Sequence, residues 1–208
     1  PYLKGETKMK VNTKLLHGKA GRNTPDGATL PGISQVSAFS YDSAEHLEKV
    51  FGNKAPGFAY TRIGNPTVAA FEQRINEVEG GTGAIACASG MAAITVALLN
   101  VLSAGDEIIA GSGLVGGTID LFKDLEAFGI TTHFIPHITV EDIKPVLNQN
   151  IKAVFGEIIG NPGLDVVNIK EVSDFLHENG VPFILDATTA TPYLINALAA
   201  GAEIVIHS

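Results

Sequence analysis

Apolar positions fall into two rhythms along the chain. Over the first sixty residues they follow no period, and Gly18, Gly21, Pro25, Gly27, Pro31, Gly32, Gly52, Pro56 and Gly57 interrupt the runs. Residues 43–50 form the one helix-like stretch there, so 1–60 reads as an extended arm lying over something else, such as another subunit. From Pro66 onward, short apolar runs alternate with segments of helical period. Pro66 suits the first position of a helix over 66–79 that stops at Gly80-Gly81. A strand at 84–88 follows, then Ser89 capping a helix over 90–102 closed by Gly105. Beyond lie a strand at 107–110, a glycine loop, a helix over 118–128 with Gly129 past its end, and a strand at 131–135. Thr139, with Asp142 three residues on, opens a short helix. A strand at 153–159, a helix from Asn168 to Asn179-Gly180, a strand at 182–185, a helix over 193–200 and a strand at 203–207 complete the series.

The six strands read as continuous apolar runs rather than two-faced ones, the texture of strands covered on both sides. The pattern predicts an α/β domain over 61–208, a mostly parallel sheet flanked by helices. Domains seldom end on a buried central strand, so the reading expects a piece of a longer polypeptide.

Composition supports a packed interior. The 208 residues are 45% hydrophobic and 17% charged, against about 25% charged in an average soluble domain. That excludes intrinsic disorder. A net charge of −8 argues against a nucleic-acid partner, which needs a basic face. Residues 80–105 carry no charge, a length that could cross a bilayer. Half of that stretch is glycine-rich, and its apolar helix covers only 91–102, so a buried helix is expected rather than a membrane span. The lysine-bearing start lacks the apolar run of a secretory signal. Cys87 is the single cysteine; it has no internal disulfide partner and reads as a small core residue. A cytoplasmic location is the expectation.

In an open parallel sheet, ligands gather at the carboxyl ends of the strands. Four groups fall there. Ser89-Gly90-Met91 turns from a strand into a helix N-terminus, where free N–H groups can hold a phosphate or Ser89 can simply cap the helix. Gly111, Gly113 and Gly116 match a dinucleotide-binding spacing, but the acidic residue that should follow about twenty positions on is replaced by His133-Phe134-Ile135-Pro136-His137. Asp186 follows an apolar strand and either faces a site or caps a turn with Thr188 or Thr189. Glu157 with Asn161-Pro162 also ends a strand, and its plain reading is a turn. Outside this cluster, Tyr60 and Arg62 precede a helix start and together could clamp a phosphate. His133 and His137 are four apart but straddle a strand and Pro136 and cannot share a helical face, so no metal site is expected.

These segments resemble the Cys/Met-metabolism family of pyridoxal-phosphate enzymes, most of all its O-acetylhomoserine sulfhydrylases. The resemblance runs from about Thr13 to Ser208. It is carried in order by Leu15-Leu16-His17-Gly18, Tyr60-Thr-Arg62-Ile-Gly-Asn-Pro-Thr67, Ala88-Ser89-Gly90-Met91, Gly116-Gly117-Thr118, Glu157-Ile-Ile-Gly-Asn161-Pro162, Asp186 to Leu194, and Gly201 to Ser208. It implies the large domain of an aspartate aminotransferase-like transferase with pyridoxal 5'-phosphate as cofactor. By resemblance Ser89, Gly90, Met91, Thr188 and Ser208 belong to the cofactor cradle, the phosphate being held by the Gly90 and Met91 N–H groups and the Ser208 hydroxyl. Asp186 pairs with the pyridine nitrogen and Asn161 lies near the phenolic oxygen. Tyr60 and Arg62 serve the phosphate of a neighbouring subunit, which implies a homo-oligomer, a homotetramer by family habit.

The implied reaction replaces the acetoxy group of O-acetyl-L-homoserine by sulfide or a thiol, giving homocysteine or methionine. A cystathionine γ-synthase, a γ-lyase or a non-catalytic pyridoxal-phosphate binder are the alternatives. The family's cofactor lysine belongs a few residues after Ser208, so no catalytic residue is expected within the chain, the smaller C-terminal domain is absent, and the chain alone is expected to be inactive. Two positions depart from the family pattern. Val115 stands where a ring-stacking tyrosine is usual, and Ala187 where asparagine is common.

Overall fold

A computed structural model describes residues 9–18 and 27–208. The parts of the expected arm at 1–8 and 19–26, with Gly21 and Pro25, lie outside the described residues. The chain divides into two compact units, 1–86 and 87–208.

The first unit contains α1 (Val11–His17), α2 (Ala44–Phe51) and α3 (Pro66–Glu79). Ser43 caps α2 through its side chain. The start of α3 is more elaborate. Asn65, buried, accepts the Thr67 N–H at 2.8 Å and donates to the Ser34 carbonyl at 2.9 Å, while Thr67 Oγ1 accepts the Ser34 N–H at 2.8 Å. Pro66 occupies the first turn, where no amide is needed, and Gly80 ends the helix at φ +75°. The segment 37–39 runs antiparallel to 59–61, with an isolated bridge between Ala38 and Tyr60. The helix α1 was not expected from the sequence. None of its residues is buried; it is held from outside, by Arg74 donating to the Lys14 carbonyl and Lys14 Nζ donating to the Glu77 carbonyl at 3.2 Å.

Residues 84–88 are not a strand. Ile85 is 80% exposed, Cys87 is exposed rather than a core residue, and the Ala86 N–H is taken at 2.8 Å by the Glu72 side chain. A backbone amide spent on a side chain cannot join a ladder.

The second unit opens with α4 (Gly90–Val101) and continues with β1 (Glu107–Gly111), α5 (Gly116–Leu125), a 3₁₀ turn at Glu126–Phe128, β2 (Thr131–Ile135), α6 (Val140–Ile143), β3 (Ile151–Glu157), α7 (Ile169–Glu178), β4 (Phe183–Asp186), α8 (Thr191–Leu194), α9 (Ala197–Ala200) and β5 (Ile204–Ile206). The described strands form one parallel sheet in the order β2-β1-β3-β4-β5. Successive side chains divide between two cores. Ile109, Val154, Phe183 and Leu185 pack with Ile143, Ile169, Val172 and Leu176 of α6 and α7. Ile108, Ala110, Phe155, Ile184 and Ile206 pack with Ile94, Leu98, Phe122 and Leu125 of α4 and α5. This is the expected α/β architecture, with helices on both faces. The expected single helix over 193–200 is two pieces, because Ile195 is extended and Asn196 caps a new start by accepting the Ala199 N–H at 2.8 Å. Among the described residues no helix is long and apolar enough to cross a membrane.

Candidate functional site

The carboxyl ends of the strands in the second unit bring a set of polar groups into a closed chain of contacts. Ser89 is extended and its Oγ accepts the Ala92 N–H at 3.1 Å, capping α4. Gly90 opens the helix, and a Cβ there would lie 2.5 Å from Cβ and Oγ of Ser208, so only glycine fits. The Ser208 N–H donates to Thr188 Oγ1 at 3.0 Å, and the Thr188 N–H to Asp186 Oδ1 at 2.8 Å. Asp186 stands opposite Glu157 in the register of β3 and β4, and opposite Ile206 in that of β4 and β5. Neighbours in register share a face, here the face covered by α4 and α5. Glu157 Oε1 accepts the Val115 N–H at 2.8 Å, just before α5. A Cβ on Gly117 would meet Met91 Sδ at 3.6 Å, which returns the chain of contacts to α4.

The site offers two opposite polarities. At the start of α4 the amides of Gly90 and Met91 precede the first intrahelical bonds and sit at the positive end of the helix dipole beside the Ser208 hydroxyl, a setting for a doubly charged anion. Across from it lies the carboxylate of Asp186, suited to a cationic ring N–H. Burial pushes the Glu157 carboxyl above the ordinary range and the nearby Asp186 adds to this, while the Val115 and Asn161 N–H groups pull it down.

The remaining residues singled out by sequence behave differently. Asn161 is exposed, its N–H reaches the Gly113 carbonyl at 3.3 Å, and the Asn161–Pro162 peptide is cis. Tyr60 and Arg62 belong to the first unit, where the guanidinium carbon lies 5.6 Å from the tyrosine ring centroid. Of the glycines of the dinucleotide-like spacing only Gly111 is tightly packed: an added Cβ would meet Asp165 Oδ2 at 3.8 Å at Gly113 and nothing within 4 Å at Gly116. Gly111 is approached by Ile138, whose Cγ1 would lie 3.0 Å from an added Cβ, and Gly116 opens α5. His133 is bonded to Glu107, and no group of three metal-ligating side chains occurs among the described residues. Ala187 is fully buried in the core on the α7 side.

A family model described as Cys/Met metabolism PLP-dependent enzyme matches residues 12–208. The chain belongs to this family. Its cofactor is pyridoxal 5'-phosphate, and the groups present suit that molecule: an anion cradle that a side chain at Gly90 would fill, and a carboxylate at a strand end. Among relatives of these Cys/Met-metabolism enzymes, the chain is 38% identical to the O-acetyl-L-homoserine sulfhydrylase of Leptospira meyeri over 201 residues, covering 96% of this chain and 46% of that protein. It is 36% identical to the L-methionine gamma-lyase of Fusobacterium nucleatum subsp. polymorphum over 203 residues, covering 97% and 51%. A crystal structure described as an O-acetylhomoserine (thiol)-lyase of Campylobacter jejuni, containing pyridoxyl-lysine phosphate, superposes with a TM-score of 0.89 at 31% identity, covering 96% of this chain and 50% of that one. The chain spans about half the length of the curated relatives it matches.

Glu157 is the residue that sequence reasoning undervalued. Read as part of a turn, it instead ties the loop before α5 to the strand end beside Asp186. Its place directly before the Asn161-Pro162 segment was the available signal, but the loop that it bonds lies 42 residues away in sequence.

Proposed function

We propose that the intact protein uses pyridoxal phosphate to replace the acetoxy group of O-acetyl-L-homoserine by sulfide or a small thiol. The Cγ–O bond breaks, acetate leaves with the bonding pair, and a Cγ–S bond forms to give homocysteine or, with methanethiol, methionine. The linked cradle of Gly90, Ser208, Thr188 and Asp186 carries the reading, and the sulfhydrylase similarity supports the choice of reaction. When bound, the cofactor supplies an electron sink for negative charge on the substrate carbons. The chain's own part is to hold it: Gly90 and Met91 through backbone N–H groups and Ser208 through its hydroxyl at the phosphate, with Ser89 setting the helix start. Asp186 keeps a proton on the ring nitrogen, Thr188 orients that carboxylate, and Asn161 serves the phenolic oxygen. In this reading residues 1–60 form an arm, 61–208 the cofactor-binding domain, and Tyr60 and Arg62 reach the phosphate of a neighbouring copy in a cytoplasmic homotetramer.

The similarity to a methionine gamma-lyase supports a second reading, γ-elimination. The intact protein, given O-acetyl-L-homoserine and sulfide, is expected to form homocysteine and acetate in equal amounts. An α-keto acid with ammonia as the main products, from methionine as well, would replace the first reading by the second. A protein that binds the cofactor without turning over either amino acid would be a non-catalytic homologue.

A further inference from the structure

We propose that Glu157 is a positioning residue of this site, holding the turn before α5 against the strand end next to Asp186. The inference rests on the reading of these strand ends as a pyridoxal-phosphate site. Val115 has φ −57° and ψ 141°, and its side chain provides no cap. Its carbonyl accepts the Thr118 N–H at 2.9 Å and the Ile119 N–H at 3.2 Å, starting α5, while its own N–H goes to Glu157 Oε1. One carboxyl on β3 therefore fixes where α5 begins. Through Gly117, which faces Met91, it also fixes how the start of α5 meets the start of α4.

The register gives the placement a second consequence. Glu157 and Asp186 end neighbouring strands on one face, so whatever moves Glu157 moves the loop and the surroundings of Asp186 together. The titratable groups about Glu157 are Asp186 on β4, and Asp165 and His137 on the loops that share its cleft. Burial already disfavours the ionised carboxyl, so a neutral acceptor should serve nearly as well as a charged one.

A double-mutant cycle tests this on the intact protein. Glu157→Ala removes the acceptor, and Val115→Pro removes the N–H at a φ that proline accepts. Two quantities are read: amide exchange of residues 116–119 without added cofactor, and the pyridoxal-phosphate dissociation constant from absorbance titration. Each single variant is expected to raise exchange about tenfold and weaken cofactor binding about tenfold, with the double variant no worse than Glu157→Ala alone, because the bond between Glu157 and the Val115 N–H is lost only once. Glu157→Gln is expected to restore both readouts to within about threefold of the parent, from the same single-bond scale. Effects that multiply to about a hundredfold in the double variant would overturn the proposal. So would unchanged exchange in Glu157→Ala, or a Glu157→Gln as loose as Val115→Pro. If Glu157→Ala does not fold, the comparison of Glu157→Gln with Val115→Pro decides. A parent protein that binds no cofactor would remove the functional reading, while the exchange measurements would still decide the role of Glu157.

Discussion

At the amino end of the sheet, Glu107 accepts three side-chain hydrogen bonds: from His133 Nε2 at 2.6 Å, Asn148 Nδ2 at 2.9 Å and Asn150 Nδ2 at 3.2 Å. Glu203, at the same end, pairs with His177 and accepts the Phe183 N–H at 2.7 Å. At the carboxyl end Asp186 accepts the Thr188 N–H through Oδ1, and among the described residues its Oδ2 has no hydrogen-bond partner. Both ends place carboxylates on the same scaffold, yet one set is saturated by neighbouring side chains and the other leaves acceptor capacity open. Carboxylates engaged at both oxygens hold strands together; a carboxylate with a lone pair to spare, near a helix start whose Gly90 and Met91 amides are outside the intrahelical bonds, can hold a ligand.

Substitutions at the two ends should therefore differ in kind. The largest effect is expected from Asp186→Ala, which on the proposed reading removes the partner of the ring proton and should lower turnover of the intact protein about a thousandfold with little change in thermal midpoint. Gly90→Val comes next. It forces a side chain into the space of Ser208 and should weaken pyridoxal-phosphate binding about a hundredfold, worth about 2.7 kcal/mol, measured by absorbance titration. Val115→Tyr supplies an acid–base group at the open end and should raise γ-elimination about tenfold in a steady-state assay, less than the roughly hundredfold or more that a fully positioned proton-transfer group brings. An unchanged rate there would mean that another group already moves the proton.

Glu107→Gln sharpens the comparison from the closed end. It should leave cofactor affinity unchanged and lower the urea midpoint, by less than any change above. Its hydrogen bonds to Asn148, His133 and Asn150 hold the Glu107 carboxyl below its ordinary value of 4.5. A depressed carboxyl contributes stability that is fully present above pH 4.5 and lost as pH falls through the lower folded value. The gap between parent and Gln variant should thus be widest near neutral pH and close on acidification. A gap that widens in acid would assign the stabilisation to another group.

Much of this architecture was legible because local chemistry and tertiary structure agreed. Thr131–Ile135 and Pro66–Glu79 lie where periodicity and punctuation put them, and Ser89 and Thr139 cap as their positions suggested. What failed to show was decided by distant partners. The helix at Val11–His17 depends on Arg74 and Glu77, and residues 84–88 yield an amide to Glu72 instead of pairing as a strand. The cradle was visible through its motifs, since Gly90 marks a helix start and Asp186 a strand end. The bond from the Val115 N–H to Glu157 was not, because any residue at 115 except proline would carry such an N–H.

The contact between Gly90 and Ser208 joins α4 to a residue two positions beyond β5. Such a cradle cannot exist in a half-assembled sheet. A ligand seated in it would report completion of the fold and, by mass action, reward it: at a hundred times its dissociation constant, a ligand bound to the folded form alone adds about 2.7 kcal/mol to stability. Cofactor supply would then govern how much of the protein survives in the cell as well as how fast it works.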